Sequence, residues 1–356
     1  MKITLGEVGT YINGYAFKPS DWGTSGLPII RIQNLTNQNT IPNYFDGPYN
    51  SKFEVNKGDI LIAWSGSLGI HVWQKNKALL NQHIFRVEFN KCEIDKMYFY
   101  YAVKHNIHKM LHLTHGATMR HIIKSDFEQI IIPYPSLDVQ AKISKRLNYL
   151  EQNIINYRII LSKLDLLIKS RFVDLFGDIE LNEKKWKKIK FGELIKSANN
   201  GLARRGNDKA GNIVLRLIEL QENLINYSDP NRILLTDDEK KRYRLLEGDL
   251  LFARVNGNPK NVGRCATFYE YEEQVYHNDH IIRTSCDKSQ LDSVFAAYLF
   301  NSEYGKNRIS RKIKTSAGQY TINQEGLKSI EIILPPIVIQ YSFAEFIKQI
   351  NKLKFA

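Results

Sequence analysis

The sequence predicts an α+β protein in which two copies of one domain are joined by a long helix. Three observations support this fold class. A stretch of about 40 residues keeps a heptad spacing of apolar side chains. The segments on its two sides repeat the same blocks in the same order. Within each copy, short apolar runs alternate with Gly, Asn and Pro, which is typical of short strands joined by turns.

The long helix is predicted over residues 136–177. No Pro or Gly interrupts the sequence from Leu137 to Phe176, and Gly177 then stands where helices commonly end in a left-handed residue. About 40 helical residues would extend roughly 60 Å, which suits a spacer better than the alternative, a core helix of one large domain. The apolar residues that define this central seam are Ile143, Leu147, Leu150, Ile154, Tyr157, Leu161, Leu164 and Ile168.

The two halves of the chain repeat five sequence blocks. The matched blocks are 5–8 with 191–194, 29–35 with 214–220, 57–63 with 247–253, 81–86 with 278–283, and 122–135 with 322–336. In each copy, a Gln follows the closing prolines at the same distance, as Gln140 and as Gln340. Because the repeat is well over a hundred residues long, we interpret it as a duplicated globular domain rather than a solenoid unit.

The repeat sets the predicted domain boundaries. Each copy should be a mixed α/β domain with a curved antiparallel sheet. The final helix carries Phe343, Phe346, Ile350 and Leu353 at heptad-like spacing, so it should pack on the central helix. The predicted parts are a first domain over 1–135, the helix over 136–177, a second domain over 178–336 and a short C-terminal helix over 337–356.

The composition favours a polyanionic partner. The chain has 356 residues and a formal net charge of +13, and nucleic acid is the commonest partner of such a basic protein. The three cysteines are far apart, which predicts a reducing cytoplasm and no disulfide framework. No run approaches the ~18 apolar residues that a membrane span needs, so we expect no membrane insertion.

In their order, these features resemble the specificity (S) subunits of type I restriction-modification systems. The resemblance rests on the Gly-Asp turns at Gly58 and Gly248, on the closing phrases 132–140 and 334–340, and on the helices that follow. It implies two target recognition domains that each read one half of a split site in double-stranded DNA. It also implies an antiparallel helix pair on which two DNA adenine methyltransferase (M) subunits dock, in contact with the central seam.

The resemblance further implies that this chain is a non-catalytic subunit without a cofactor of its own. In that family, S-adenosylmethionine belongs to the methyltransferase subunits, and ATP with Mg²⁺ belongs to the restriction and translocation (R) subunits where these are present. The sequence agrees, since it has neither a GxxxxGK[ST] phosphate loop nor an Asn/Asp-Pro-Pro-aromatic motif. His83 and His280 recur without further metal ligands, so we expect structural hydrogen bonds there and no metal site.

One departure from the family leaves alternatives open. The second helix extends for only about 16 residues, roughly 24 Å, so much of the central seam lacks a partner within the chain. Methyltransferase subunits or a second copy could cover the seam, or the chain could come from a type IIB/IIG-like system with a fused methyltransferase and nuclease. A rival of another class is a coiled-coil scaffold whose duplicated domains bind a ligand other than DNA. The basic charge argues against that rival.

Base readout requires polar side chains that reach the major groove from firmly held loops. The loops after the predicted strands supply them, and matched positions carry different residues in the two copies, as two readers of different half-sites should. In the first domain the candidates are Gln33, Asn34, Trp64, Ser65, Ser67, His115, Thr118 and Arg120. In the second domain they are Arg204, Arg205, Arg254, Asn256, Asn258, Lys260, Lys314, Ser316, Gln319 and Tyr320.

Overall fold

A computed structural model describes residues 1–37, 39–114, 121–316 and 318–355. The chain forms two compact units, Met1–Arg158 and Ile159–Ala356. The division falls inside the long helix, so the domain boundaries predicted from the sequence stay predictions. Among the helices described, none is both long and apolar enough to span a membrane.

Within the described residues, ten strands lie in the first unit and five α-helices begin there. The strands are β1 (Lys2–Thr4), β2 (Thr10–Asn13), β3 (Leu27–Ile30), β4 (Asn43–Phe45), β5 (Glu54–Val55), β6 (Ile60–Ala63), β7 (Gly69–Val72), β8 (Ala78–Leu80), β9 (Ile84–Glu88) and β10 (Ile131–Pro133). The helices are α1 (Leu5–Val8), α2 (Ile32–Thr36), α3 (Lys96–His112), α4 (Lys124–Glu128) and α5 (Leu137–Phe176), and the last of these continues into the second unit.

The second unit repeats this arrangement with additional short strands. Its strands are β11 (Lys187–Lys190), β12 (Ile195–Asn200), β13 (Asn212–Leu215), β14 (Leu220–Gln221), β15 (Leu224–Ile225), β16 (Arg232–Ile233), β17 (Leu250–Ala253), β18 (Val255–Asn256), β19 (Cys265–Thr267), β20 (Val275–His277), β21 (Ile281–Cys286), β22 (Lys314–Ser316), β23 (Gln319–Thr321) and β24 (Glu331–Leu334). Its helices are α6 (Asp237–Tyr243), α7 (Ser293–Asn301), α8 (Glu303–Ser310), α9 (Gln324–Lys328) and α10 (Ile337–Phe355).

The sheets have the same topology in both units, as a duplicated domain requires. An antiparallel sheet of order β2-β9-β6-β7 in the first unit corresponds to β12-β21-β17-β19 in the second. Each unit also has a parallel pair, β3 with β8 and β13 with β20, which the predicted antiparallel sheet did not include. The apolar spacing of a strand does not reveal the direction of its neighbour, because side chains alternate equally in both arrangements.

The repeated Gly-Asp turns have a common structural role. Gly58 and Gly248 have φ values of +92° and +86°, a conformation that residues with a Cβ rarely adopt. The following carboxylates, Asp59 and Asp249, each accept a hydrogen bond at 2.8 Å from the backbone N–H three residues earlier. These turns therefore start β6 and β17 in the same geometry.

The long helix begins and ends within one residue of its predicted bounds. It runs from Leu137 to Phe176, and Gly177 follows with a φ of +74°. In the second unit, α10 packs antiparallel on the last turns of α5, because Phe343 contacts Phe176 whereas Lys354 near the other end of α10 bonds Asp165 at 2.5 Å.

The buried face of α10 differs from the predicted one. Phe343, Ile347 and Ile350 are buried, whereas Leu353 is 68% exposed and Phe346 is only partly buried. The seam therefore follows steps of four and then three from Phe343, a register that the sequence alone did not distinguish from the predicted one.

His277 is a buried titratable group in the core of the second unit. It is fully buried on β20, its Nδ1 lies 3.0 Å from the carbonyl oxygen of Tyr243, and its Nε2 has no partner. Burial lowers the pKa of His277 to about 4. The equivalent residue beside the parallel strand of the first unit is Leu80.

We expect this histidine to make the second unit sensitive to acid. An unfolded His takes up a proton near pH 6.5, so the stability due to neutral His277 is complete above that pH and is lost as the pH falls towards 4. The loss should reach about 2 kcal/mol by pH 5. In His277→Leu, which copies Leu80, the free energy of unfolding should fall less between pH 7 and pH 5 by that amount. Urea titrations at both pH values measure it.

The exposed His105 provides the control for this experiment. His105→Leu removes an exposed imidazole and leaves His277 unchanged, so this variant should keep the loss of stability that the buried histidine produces between pH 7 and pH 5. An identical pH dependence in His277→Leu and the unchanged protein would contradict the assignment to His277.

Candidate nucleic-acid interface

A three-stranded sheet in the second unit brings most of its predicted DNA-binding residues together. Asn256 on β18 lies opposite Tyr320 on β23, and Gln319 on β23 lies opposite Ser316 on β22. The backbone N–H of Ile322 bonds the carbonyl oxygen of Arg254 at 2.9 Å, which extends this pairing. We call the side chains collected here the hairpin surface: Arg254, Asn256, Asn258, Lys260, Lys314, Gln319 and Tyr320.

Arg254 differs from the two arginines of this unit that are tied to glutamates, Arg204 and Arg216. Its side chain is half-buried and its Nε atom is buried without a hydrogen-bond partner. By contrast, Arg204 and Arg216 contact carboxylates at 2.7 and 2.5 Å. Within the described part of the chain, Arg254 has no such ion pair, so its guanidinium group is available to an anionic or acceptor-rich ligand.

The loop after β18 fixes the orientation of two asparagines. The backbone N–H of Asn258 donates to Oδ1 of Asn256 at 2.9 Å, and the backbone N–H of Lys260 donates to Oδ1 of Asn258 at 3.1 Å. Because a backbone N–H can only donate, the oxygen of each amide must face the loop. Their NH₂ groups are therefore the ends left for other partners.

Arg205 approaches the hairpin surface through His280. Arg205 donates from Nη1 to Oδ1 of Asp279 at 2.8 Å, and its Nη2 lies 3.0 Å from Nε2 of His280. The carbonyl oxygen of His280 accepts the N–H of Arg254 at 2.8 Å. Burial lowers the pKa of His280, and the charges of Arg205 and Arg254 lower it further while Asp279 opposes them. The sequence interpretation treated His280 only as structural and missed this position.

Arg204 does not join this surface. Its Nε and Nη2 bond the two carboxylate oxygens of Glu239 on α6 at 2.8 and 2.7 Å, and Nη2 also bonds the carbonyl oxygen of Leu234. The Arg204 side chain is thus held by its own unit, and this geometry does not support its predicted contact with DNA.

In the first unit, three predicted DNA-binding side chains serve the fold instead. Asn34 is buried and its amide bonds the N–H of Arg31 at 3.0 Å and the carbonyl oxygen of Thr40 at 3.2 Å. Trp64 donates its indole N–H to Asn13 and stacks on Phe85. Ser65 is 2% exposed. The polar atoms of these side chains are either bonded within the unit or buried. We therefore infer that they stabilise the loops rather than contact bases.

The remaining predictions in the first unit have a different outcome. Gln33 and Ser67 are exposed and their contacts with DNA stay predictions. His115, Thr118 and Arg120 lie outside the described residues. In the second unit, the backbone of Ser316 belongs to β22, and its predicted contact with DNA also stays a prediction.

The central seam is covered at one end and open in its middle. Leu164 and Ile168 pack against the apolar core that includes α10, so their predicted docking to a partner is not supported. Ile143 is half-buried. The exposed part of the seam consists of Leu147, Leu150, Ile154, Tyr157 and Leu161, which are between 37% and 66% exposed.

The described residues contain no cluster of potential metal ligands. No group of three or more His, Cys, Asp and Glu residues within these ranges has the geometry to hold a metal ion.

Comparisons with known proteins identify a family for almost the whole chain. A family described as the type I restriction modification DNA specificity domain matches residues 1–163 and 183–356. The chain is 29% identical over 258 residues to the type I restriction enzyme StySPI specificity subunit of Salmonella potsdam, which covers 69% of this chain and 55% of that protein. It is 25% identical over 259 residues to the EcoKI specificity subunit of Escherichia coli (strain K12), again covering 69% and 55%.

A solved structure supports the same fold. The S subunit of a type I restriction-modification system from M. genitalium superposes with a TM-score of 0.67 and 15% sequence identity, covering 99% of this chain and 90% of that one. The alignments with the StySPI and EcoKI subunits span about half the length of those relatives, 55% in each case.

Proposed function

The chain belongs to the type I restriction-modification DNA specificity family, and we propose from this premise that it selects a split DNA site for a methyltransferase complex. Each unit would read one half of the site. The observation that carries this proposal is that the two units share the same backbone hydrogen bonds at one strand end but have different polar side chains there. In both copies a strand end is held by the carbonyl oxygen of the recurring histidine, which accepts the N–H of Trp64 in one and of Arg254 in the other.

Different side chains on this frame support different half-sites. At the matched position, the first unit has Trp64, which is tied to Asn13, whereas the second has Arg254, which has no ion pair among the described residues. Since a common fold keeps the two readers in equivalent places, divergence of these residues would change the bases read without changing the fold.

The open part of the central seam supports docking of methyltransferase subunits. Leu150, Ile154 and Tyr157 are each more than half exposed. A continuous apolar stripe of this kind on a helix is typical of a surface that a partner covers. We propose two methyltransferase subunits, with S-adenosylmethionine bound by them. Any restriction subunits would bring ATP and Mg²⁺, and this chain would be a non-catalytic cytoplasmic subunit.

Methylation mapping tests the proposed function. Cells that produce the chain with its methyltransferase partner, and cells that produce the partner alone, are compared by single-molecule sequencing of their DNA. A split motif with an unread spacer of constant length should appear only when the chain is present. A motif that appears without the chain, or no motif although the complex assembles, would contradict the proposal.

We expect substitutions on the hairpin surface to affect one half-site only. In Arg254→Ala/Asn256→Ala, methylation should lose its dependence on the bases of one half while the other half and the spacer stay the same, because each unit reads separately. The same sequencing experiment measures this. Lys209→Ala, which removes a positive charge outside the hairpin surface, is the control. Equal loss at both halves would contradict separate reading.

A further inference from the structure

We propose that the second unit recognises guanine in the major groove of its half-site, because the hairpin surface presents mainly hydrogen-bond donors. This inference rests on the proposed function and adds to it the class of base that the second unit reads. Three features of the hairpin surface support this inference: the orientation of its asparagine amides, the lack of carboxylate partners for its cations, and the absence of Asp and Glu from the segments 254–260 and 314–321.

The orientation of the amides removes the usual preference of asparagine. A free asparagine presents a donor and an acceptor side by side, which matches the N7 and N6 groups of adenine. In Asn256 and Asn258, Oδ1 already accepts a backbone N–H at 2.9 and 3.1 Å. Each of these side chains therefore presents mainly its NH₂ group, a donor.

The cations of the hairpin surface add further donors. Arg254, Lys260 and Lys314 carry only donors, and none of them pairs with a carboxylate among the described residues. The buried Nε of Arg254 also lacks a partner. An arginine whose backbone is fixed by hydrogen bonds, and whose side chain has no carboxylate partner among the described residues, is suited to a rigid, bidentate acceptor, since its guanidinium fork is planar.

The two segments of the hairpin surface lack the acceptors that other bases need. Neither 254–260 nor 314–321 contains Asp or Glu. The amino groups of cytosine and adenine require an acceptor, and only the Gln319 amide and a few hydroxyl groups of these segments could supply one. Guanine presents two adjacent acceptors, N7 and O6, and is the base whose major-groove edge a donor-rich surface matches best.

The shape of this region is compatible with groove binding. The strands β22 and β23 form a hairpin that turns at Gly318, where φ is +77°. The major groove of B-DNA admits a two-stranded β-ribbon. In the first unit, the matched position holds Trp64 with its indole N–H already bonded to Asn13, so the guanine contact argued from Arg254 has no counterpart at that position and is assigned to the second unit.

Base analogues test this inference on the assembled complex. The half-site of the second unit is first identified as the one that changes in Arg254→Ala/Asn256→Ala. Binding of the chain with its methyltransferase partner is then measured on duplexes in which the guanines of that half carry 7-deazaguanine, which lacks the N7 acceptor. We expect about 5- to 100-fold weaker binding, the usual effect of losing one bidentate base contact. Replacement of adenine by 7-deazaadenine in the same half should change binding little.

The variants separate base reading from phosphate binding. In Arg254→Ala the effect of 7-deazaguanine should shrink towards none, and in Arg254→Lys, which keeps the charge and a donor but loses the planar fork, it should shrink only in part. Uniform weakening of all duplexes without any effect of 7-deazaguanine would show phosphate contacts and overturn the inference. A half-site without guanine on either strand would also overturn the inference. In that case the split motif would still support the proposed function. If no split motif is found, both proposals fail together.

Discussion

Replacing Phe176 with Ala should lower the free energy of unfolding of the second unit by about 3–5 kcal/mol. Phe176 is fully buried where the end of α5 meets α10 and α7. Its ring lies 4.6 Å from that of Phe295 and 5.6 Å from that of Phe343. Truncation would leave a cavity lined by rigid aromatic rings, which cannot easily move to fill it.

Hydrogen exchange resolves this effect within a chain of two units. Urea-dependent exchange, followed by mass spectrometry on peptides from 159–176 and 337–355, reports the stability of α10 on α5. Val173→Ala is the matched control, because Val173 lies one turn away on the same helix and is 58% exposed. A loss below about 1 kcal/mol in Phe176→Ala would contradict the packing of α10 described above.

Replacing Gln340 with Ala should cost about 2–4 kcal/mol, because it removes the side-chain partner of three backbone groups, one in a buried hydrogen bond and two in partly buried ones. Gln340 is fully buried, and its Oε1 accepts the N–H of Asp292 at 2.9 Å. Its Nε2 donates to the carbonyl oxygens of Pro335 at 2.7 Å and Gln290 at 3.0 Å. The side chain thereby connects the start of α10 to the N-cap residue of α7.

The duplicated fold supplies an internal comparison for this prediction. Gln140 is also fully buried, but it makes two such bonds, from the N–H of Asp95 at 3.0 Å and to the carbonyl oxygen of Pro135 at 2.8 Å. Gln140→Ala should therefore destabilise the first unit less than Gln340→Ala destabilises the second. Chemical unfolding of the two variants measures both costs, and the exposed Gln349→Ala is the control. A cost in Gln340→Ala no larger than that in the control would contradict this role.

Local patterns determined the elements of this fold. The central helix ends at Phe176 with Gly177 behind it, as predicted, because helix periodicity and a left-handed terminator are properties of consecutive residues. The duplication was also visible, since Gly58 and Gly248 are needed for the same turn in both copies. The resemblance to type I specificity subunits rested on the order of these features and agrees with the family match.

The candidate interface depended on contacts between residues distant in the sequence. The sequence predicted Asn34, Trp64 and Arg204 as DNA contacts from their type and loop position. The tertiary structure commits Asn34 to Arg31 and Thr40, Trp64 to Asn13, and Arg204 to Glu239. A polar residue in a loop has the same appearance in the sequence whether its hydrogen bonds go to the chain or to a ligand.

The sequence by itself therefore determined the α+β class, the repeat and the long helix, and it predicted the regions that would contact DNA. Only the tertiary structure decided which side chains in those regions remain available. It left Arg254 without an ion pair among the described residues, and it covered Ile168 with the core that includes α10. The physical reason is that periodicity and turn preferences act over a few residues, whereas burial and hydrogen-bond partners are set by strands and helices that meet only in the folded chain.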